Sequence, residues 1–483
     1  MAQAGAAARP SSALRRALVP LALAQFICSF AGSNMNVMIN DISKDLNTTV
    51  QGVQIAITVF LLVMAALMIP GGKLTDRYGR KRCFTVGLVV YGIGALLSAV
   101  APGLGVLILG NSILEGVGTA LLIPPVYILA TLLFTGVAAR ARAFGAISAM
   151  GGIGAAAGPL IGGLITSAIS WRAAFIFQAL IIVVILVLSR RLEDPLPADP
   201  SRSFDIGGAV LSALGLILVV MGILAADNNL WLMLVLIVAG ALVLVWFFAW
   251  VRAKERAGKE PLLSMALFRN RISNLGLITQ NTQWLLLMGV SFVVSAYLQV
   301  VRHYDAIQTG VIFTAATAGV LASSLAAERL AKRYPQRTLI LAGFIITIAG
   351  VGILLALVTS ISTDKAWVFA PGLLLIGLGL GAMLTPSVNI VQSSFGEERQ
   401  GEISGLSRSV SNLGSCLGTA IAGTILVAGI TSTPERAYGL AMIALAVVGL
   451  IGLVAALFLP AVFASPGTAP SPQPNPPQPI ETT

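Results

Sequence analysis

The stretch IGGAVLSALGLILVVMGILAA, Ile206 to Ala226, runs without a charged side chain from end to end. A helix rises about 1.5 Å per residue, so about 20 apolar residues cross a ~30 Å hydrocarbon layer. This run is long enough to do so. Working outward, Trp231–Val251 and Thr338–Val358 meet the same length. Over all 483 residues the chain is 57% hydrophobic and only 10% charged, with a mean hydropathy of +0.92. A water-soluble domain of this size needs far more charge to cover its surface. The expected class is therefore an all-α polytopic membrane protein.

Helices are predicted near 17–39, 53–71, 83–102, 106–133, 144–168, 173–189, 206–225 and 231–251. Six more follow near 273–299, 308–328, 338–359, 367–392, 403–428 and 438–463, giving about 14 transmembrane helices. With these spans alternating, about 24 basic residues fall on one side of the membrane and about 5 on the other. The formal charge of +11 is thus explained by basic loops, with no need of nucleic acid as a partner. The positive-inside rule places both termini in the cytoplasm. The tail from Ser465 is Pro-rich and expected to be disordered.

An internal echo divides the chain. Leu74-Thr-Asp-Arg-Tyr-Gly-Arg-Lys81 matches Leu330-Ala-Lys-Arg-Tyr-Pro-Gln-Arg337, with Leu, Arg, Tyr and a final basic residue in register. Two six-helix halves, 1–205 and 253–464, with an inserted helix pair at 206–252, place both segments equivalently. Repeated halves are common in secondary transporters, with the substrate held between them. Catalytic chemistry finds no foothold. Cys28, Cys83 and Cys416 have no metal-ligand spacing, His303 is the single histidine, and no GxxxxGK[ST] loop occurs. No enzyme activity, cofactor or metal site is expected.

The segment GGKLTDRYGRKR, Gly71 to Arg82, resembles the major facilitator pattern G-x-L-x-D-R-x-G-R-K between helices 2 and 3. The matching positions include Gly72, Asp76, Arg77, Gly79 and Arg80. Gly72 would allow close helix approach, and Asp76 would pair with a basic group or cap a helix, forming a gating latch. In helix 5, GIGAAAGPLIGG carries Gly154, Gly158, Pro159, Gly162 and Gly163. It resembles the antiporter signature of drug–proton exporters. Glycines at this spacing let helices touch backbone to backbone, and Pro159 frees a carbonyl. Glu260-Pro-Leu-Leu and Leu267-Phe-Arg-Asn-Arg271 resemble the connection before helix 9 in the 14-helix drug:proton antiporter subfamily. The resemblance implies a major facilitator fold, and the Ala/Gly-rich composition with no organelle signal suggests a bacterial plasma membrane. The resemblance also implies export of hydrophobic or cationic drug-like molecules by proton antiport with alternating access.

Two positions depart from that subfamily's pattern: Ala31 stands where it has an acid, and Ser112 where it has an arginine. Glu115 is the one acid expected deep in the hydrocarbon layer, where a charge costs at least ~2.5–3.5 kcal/mol, so it is a candidate proton or cation site. Arg408, near the inner end of helix 13, is the matching base, expected either to face the cavity and bind an anion or Glu115, or to snorkel to the inner interface. Asn34, Asn36, Gln280, Asn281, Gln283, Trp284 and Asn412 complete the expected substrate or proton site near the midplane. An uncoupled facilitator or lipid or metabolite carrier of the same fold is the alternative. A reporter active only in the cytoplasm should give signal when fused after Arg191 or Arg337 and none after Asn47 or His303. The reverse pattern would invert the topology.

Overall fold

The computed structural model describes residues 12–134, 137–195, 198–200, 203–226, 229–331, 333–360, 366–396 and 399–461. The Pro-rich tail from Ser465 and Lys332 of the echo lie outside them. In a bilayer every backbone polar group must be satisfied within the segment, and helices do this. The chain accordingly crosses as α1 (Ala17–Asp45), α2 (Val50–Tyr78), α3 (Arg80–Ala99) and α4 (Leu104–Leu133). It continues with α5 (Val137–Ala168) and α6 (Trp171–Ser189). Next come α7 (Ile206–Leu224), α8 (Leu230–Arg256) and α9 (Arg271–Val301). The chain then forms α10 (Ala306–Ala331), α11 (Gln336–Ser360), α12 (Ala370–Gln392), α13 (Gln400–Gly429) and α14 (Pro434–Leu457). Among the described residues 13 of these are straight enough to count as single spans. The fourteenth, α5, bends by 42° between Ala149–Ala155 and Ala157–Ala168. Proline at 159 removes the hydrogen bond to the carbonyl of Ala155, which accounts for a break there.

All 14 expected helices are present, but one boundary differs in an informative way. Gly71–Arg82 is a loop only at Gly79. Helix α2 continues to Tyr78 and α3 starts at Arg80, with Gly79 at φ +92° making the whole turn. An L side chain is strained at that φ, so glycine is required. The sequence reading ended helix 2 early because charged residues interrupt the apolar run. Here those charges sit on the last helical turns.

Packing follows an internal two-fold. Helix α1 packs on α5 as α9 packs on α13, α3 on α4 as α11 on α12, and α2 on α4 as α10 on α12. Two seams join the halves, α2 against α13 and α5 against α10, and these are also counterparts. Burial separates centre from rim. The most apolar window is 72% buried in α2 and in α9 but 22% in α7 and 11% in α8. The inserted pair α7–α8 therefore stands at the periphery, with Trp231, Leu242, Val245 and Trp246 exposed for lipid.

One carboxylate anchors that pair. Asp205 caps α7 by accepting from the backbone N–H of Gly208 (3.0 Å). It also accepts from Trp250 Nε1 (3.1 Å) and Leu262 N (3.1 Å), and pairs with Lys254 Nζ at 3.0 Å. Burial alone would raise its pKa. The Gly208, Lys254, Trp250 and Leu262 hydrogen bonds outweigh burial and hold the carboxyl below its ordinary value. Its side chain is 1% exposed, so solvent screens little of this. Asp205→Asn should cost about 1–3 kcal/mol, read as a lower melting temperature of the detergent-purified protein near neutral pH. The carboxyl's contribution exists above its unfolded pKa and is lost as pH falls through the folded value. The gap between wild type and variant should therefore close in acid, and a gap independent of pH would disprove the charge argument.

Candidate functional site

The two halves meet around a central cavity of about 60 Å³, room for a handful of waters. Helix α1 contributes Gln25 and Cys28, α2 contributes Leu61, Met64 and Met68, and α9 contributes Trp284 and Met288. Helix α13 adds Arg408, Ser411, Asn412 and Ser415. Of the expected site residues, Trp284, Arg408 and Asn412 reach this cavity. Among the described residues no carboxylate lines it, so a cationic compound meets no ion partner among them.

The other expected residues lie elsewhere. Gln280 accepts from Ser407 Oγ (2.9 Å), Asn281 Nδ2 donates to the Val410 carbonyl (2.9 Å), and Gln283 Nε2 donates to the Leu380 carbonyl (3.3 Å). These are ties from α9 to its neighbours α13 and α12. Asn34 is fully buried in α1, its Cβ near Gly162 of α5, and neither of its amide atoms has a partner among the described residues. Asn36 is buried too, and its carbonyl accepts from Gln299 Nε2 (2.7 Å) across the halves. Periodicity could not separate these residues from cavity-facing ones, because each sits within one turn of a residue that does face the cavity.

Glu115 is also off the cavity. It closes a π-helical stretch, Ile108–Glu115, is 0% exposed, and neither carboxyl oxygen has a hydrogen bond of ordinary geometry among the described residues. Such wide turns commonly mark functional positions. Tyr91 and Cys28 lie within electrostatic reach of it, and the Tyr91 hydroxyl donates to Gln178 Oε1 at 2.5 Å. Cys28 also lines the cavity, so the carboxyl sits one side chain behind the cavity wall inside the first half. Ser112, at the position where an arginine was expected, donates to the Ala56 carbonyl (2.7 Å) and so ties α4 to α2.

Arg408 does not pair with Glu115. Its guanidinium stacks over the Tyr127 ring, 4.5 Å from the centroid, and donates to the Tyr127 hydroxyl. That hydroxyl donates in turn to Gln25 Oε1 (3.1 Å). This chain of contacts crosses from α13 to α4 and α1, joining the halves beside the cavity.

Contacts tie the two halves together on either side of the cavity. At the basic end, Lys73 of α2 meets Glu402 of α13 at 3.0 Å. At the far end, Gln299 of α9 holds Asn36 and also accepts from the backbone N–H of Asn40 (3.1 Å). Nearby, the Ile307 N–H donates to Ser167 Oγ (3.0 Å). The Lys73–Glu402 pair is about a quarter exposed on each side. Such pairs are worth about 0–1 kcal/mol.

In the turn at Gly79 the close-approach glycine and the helix cap differ from the sequence reading. A Cβ at Gly72 would meet Pro124 at an ordinary 3.7 Å, whereas one at Gly71 would lie 2.2 Å from the Ala120 carbonyl oxygen. Gly71 is thus the close-approach residue. Asp76 pairs with a basic group, Arg80 of the same turn, at 3.1 Å, and Arg77 lies over its neighbour Tyr78. The helix cap comes from Asp194, which accepts from the backbone N–H groups of Arg80 (2.6 Å) and Lys81 (3.1 Å). Asp194 and Glu402 were missed because nothing local marks an acid whose partners lie over a hundred residues away.

The helix 5 glycines sit at two interfaces. A Cβ at Gly154 would come 2.3 Å from the Phe26 carbonyl oxygen, and at Gly158 2.0 Å from Ser33 Oγ, both on α1. Gly162 has ordinary or slightly tight space against Asn34. Gly163 faces the other half, 2.4 Å from the Ala306 oxygen, while Gly310 of α10 approaches the Pro159 carbonyl at 2.5 Å. The signature therefore joins α5 to α1 and forms the far end of the α5–α10 seam.

The comparisons agree on one family. A model described as the Major Facilitator Superfamily matches residues 21–268, 201–419 and 282–482. A puromycin resistance protein of Streptomyces alboniger is 31% identical, over 84% of this chain and 81% of its own. The multidrug resistance protein Stp of Mycobacterium tuberculosis is 27% identical, over 86% and 77%. A cephamycin export protein of Amycolatopsis lactamdurans is 29% identical, over 94% of both chains. A solved peptide transporter of the POT type, in complex with sulfate, shares the fold with a TM-score of 0.65 at 18% identity, covering 92% of this chain and 94% of that one.

A methyl at position 163 has no space unless the far end opens. In purified protein, Ser167→Cys should be labelled by a bulky maleimide several-fold faster when Gly163→Ala is added. Equal rates in the two variants would show that the Gly163–Ala306 approach does not hold this end shut.

Proposed function

Because this chain belongs to the Major Facilitator Superfamily, we propose that it exports hydrophobic drug-like small molecules in exchange for protons. Its halves, 1–205 and 253–464, rock about the central cavity, with the pair 206–252 attached outside them and 465–483 trailing as a tail. The basic end faces the cytoplasm of a bacterial cell, in keeping with the bias of Lys and Arg.

The observation that carries the reading is the cavity. Its walls come from both halves, yet at about 60 Å³ it is far smaller than the ~300–1,000 Å³ that drug-sized ligands occupy. A substrate enters only if the halves separate, and each end is held by few contacts: Lys73–Glu402 at one, the Gln299 and Gly163 contacts at the other. Alternating access follows if these open in turn. Resistance and export proteins among the relatives support small drug-like cargo.

Glu115 is the proton carrier in this reading. The first helix has Ala31 where an acid would sit, and Ser112 is engaged with Ala56, so neither position carries a proton. The buried, hydrogen-bond-poor carboxyl behind Cys28 is reached by water only when the first half rearranges, as exchange requires. Asp76, Arg77, Arg80 and Gly79 hold the α2–α3 turn that must move with it.

The test is puromycin accumulation in cells lacking their own pumps, expressing wild type or Glu115→Gln, with and without a protonophore. Wild type should lower accumulation only while the gradient stands, and the variant should not respond to the gradient. Export that survives both the protonophore and Glu115→Gln would favour an uncoupled facilitator. Accumulation unchanged by wild type at every condition would remove puromycin from its cargo and turn the search to lipids or metabolites.

A further inference from the structure

Arg408 is a cation in the wall of the cavity, and among the described residues the wall holds no acid to balance it. The ion pairs of the described residues engage Lys73, Arg80, Arg172 and Lys254, and none engages Arg408. Its contacts are instead a neutral hydroxyl and the face of an aromatic ring, both from Tyr127 in the other half. Arg408 is only half-buried, so its planar fork of donors stays reachable, and that fork is the geometry that recognises a carboxylate or similar anion. Around it stand Trp284, Met64, Met68 and Met288, an apolar wall with one flat aromatic face and three adaptable side chains.

We propose that Arg408 is the anion handle of the substrate site, and that the cargo is an aromatic amphiphile bearing an acidic group such as a carboxylate or phenolate. This rests on the export reading only in taking the central cavity as the place where cargo sits. The handle also explains why loading matters to the cycle. Tyr127 and an incoming anion compete for one guanidinium. Since Tyr127 belongs to the first half and Arg408 to the second, an anion that displaces the tyrosine removes a contact that joins the halves. Tyr127 then remains with Gln25, its partner within the first half. A cation of the same size gains nothing at Arg408 and is repelled by it. The basic pocket therefore selects by charge, while the tryptophan and methionines accept varied ring shapes.

The test compares two dyes of one xanthene frame on the full-length protein in detergent, by fluorescence polarisation in mildly alkaline buffer. Fluorescein supplies the anion and tetramethylrhodamine methyl ester the cation. Wild type should bind fluorescein about tenfold or more tightly than the rhodamine ester, a comparison that needs no variant to fold. Arg408→Gln should erase that preference through loss of fluorescein binding, while Arg408→Lys should keep the preference at reduced strength. Equal affinity for the two dyes in wild type, preference for the cation, or fluorescein binding that survives Arg408→Gln would each overturn the assignment. Selective fluorescein binding without export from vesicles would leave the anion handle standing and overturn the export reading instead.

Discussion

Within a bilayer, helices gain little by hiding apolar side chains from lipid, since lipid is as apolar as they are; what holds them together is close contact. In this protein that contact is carbonyl against glycine, and the rest of the structure depends on it. Gly71 lies against Ala120, Gly154 against Phe26, Gly414 against Asn281, Gly418 against Leu285 and Gly377 against Ala316. At each of these a Cβ would fall within 2.4 Å of a backbone oxygen, so no other residue fits without moving a helix. The pairs repeat across the internal two-fold. Gly154 and Gly158 of α5, packed against α1, correspond to Gly414 and Gly418 of α13, packed against α9, each set four residues apart.

That repeat was only faintly legible in the chain. Four positions shared between Leu74–Lys81 and Leu330–Arg337 hinted at it, whereas the glycine contacts display it in helix after helix. Helix number and order were readable because long apolar runs leave few other structures possible in lipid. The details that failed were those decided by tertiary contact. Gly71 and Gly72 are adjacent and chemically identical, and only the position of Ala120 makes the first one indispensable. Asp76 and Asp194 are both acids beside the same turn, and only the path of the chain after α6 places the second one over the α3 N-terminus.

The polar residues show the same limit. A search for Asn, Gln and charged residues in apolar helices finds the right population, since such residues are expensive there and need a reason. It cannot divide those that tie helices together from those that face the cavity. Gln280, Asn281 and Gln283 fasten α9 to α12 and α13, while Trp284, one residue on, lines the central space. Two roles thus alternate along a single helical turn. Glu115 marks a third case, a carboxyl withdrawn behind Cys28 into the interior of one half.

The inserted pair breaks the symmetry that the glycines keep. Helix α7 packs against both α2 and α13, and Phe247 and Val251 of α8 share an apolar cluster with Leu262, Leu267 and Leu406. One of the two seams between the halves is therefore roofed by extra helices, fastened through Asp205 and Leu262 to the chain that leads into the second half. The counterpart seam, α5 against α10, has no such cover from α7 and α8. A molecule built on a two-fold plan is thus one-sided toward the bilayer, with a shielded flank and a bare one. Any lateral traffic between lipid and the space within meets two unequal doors.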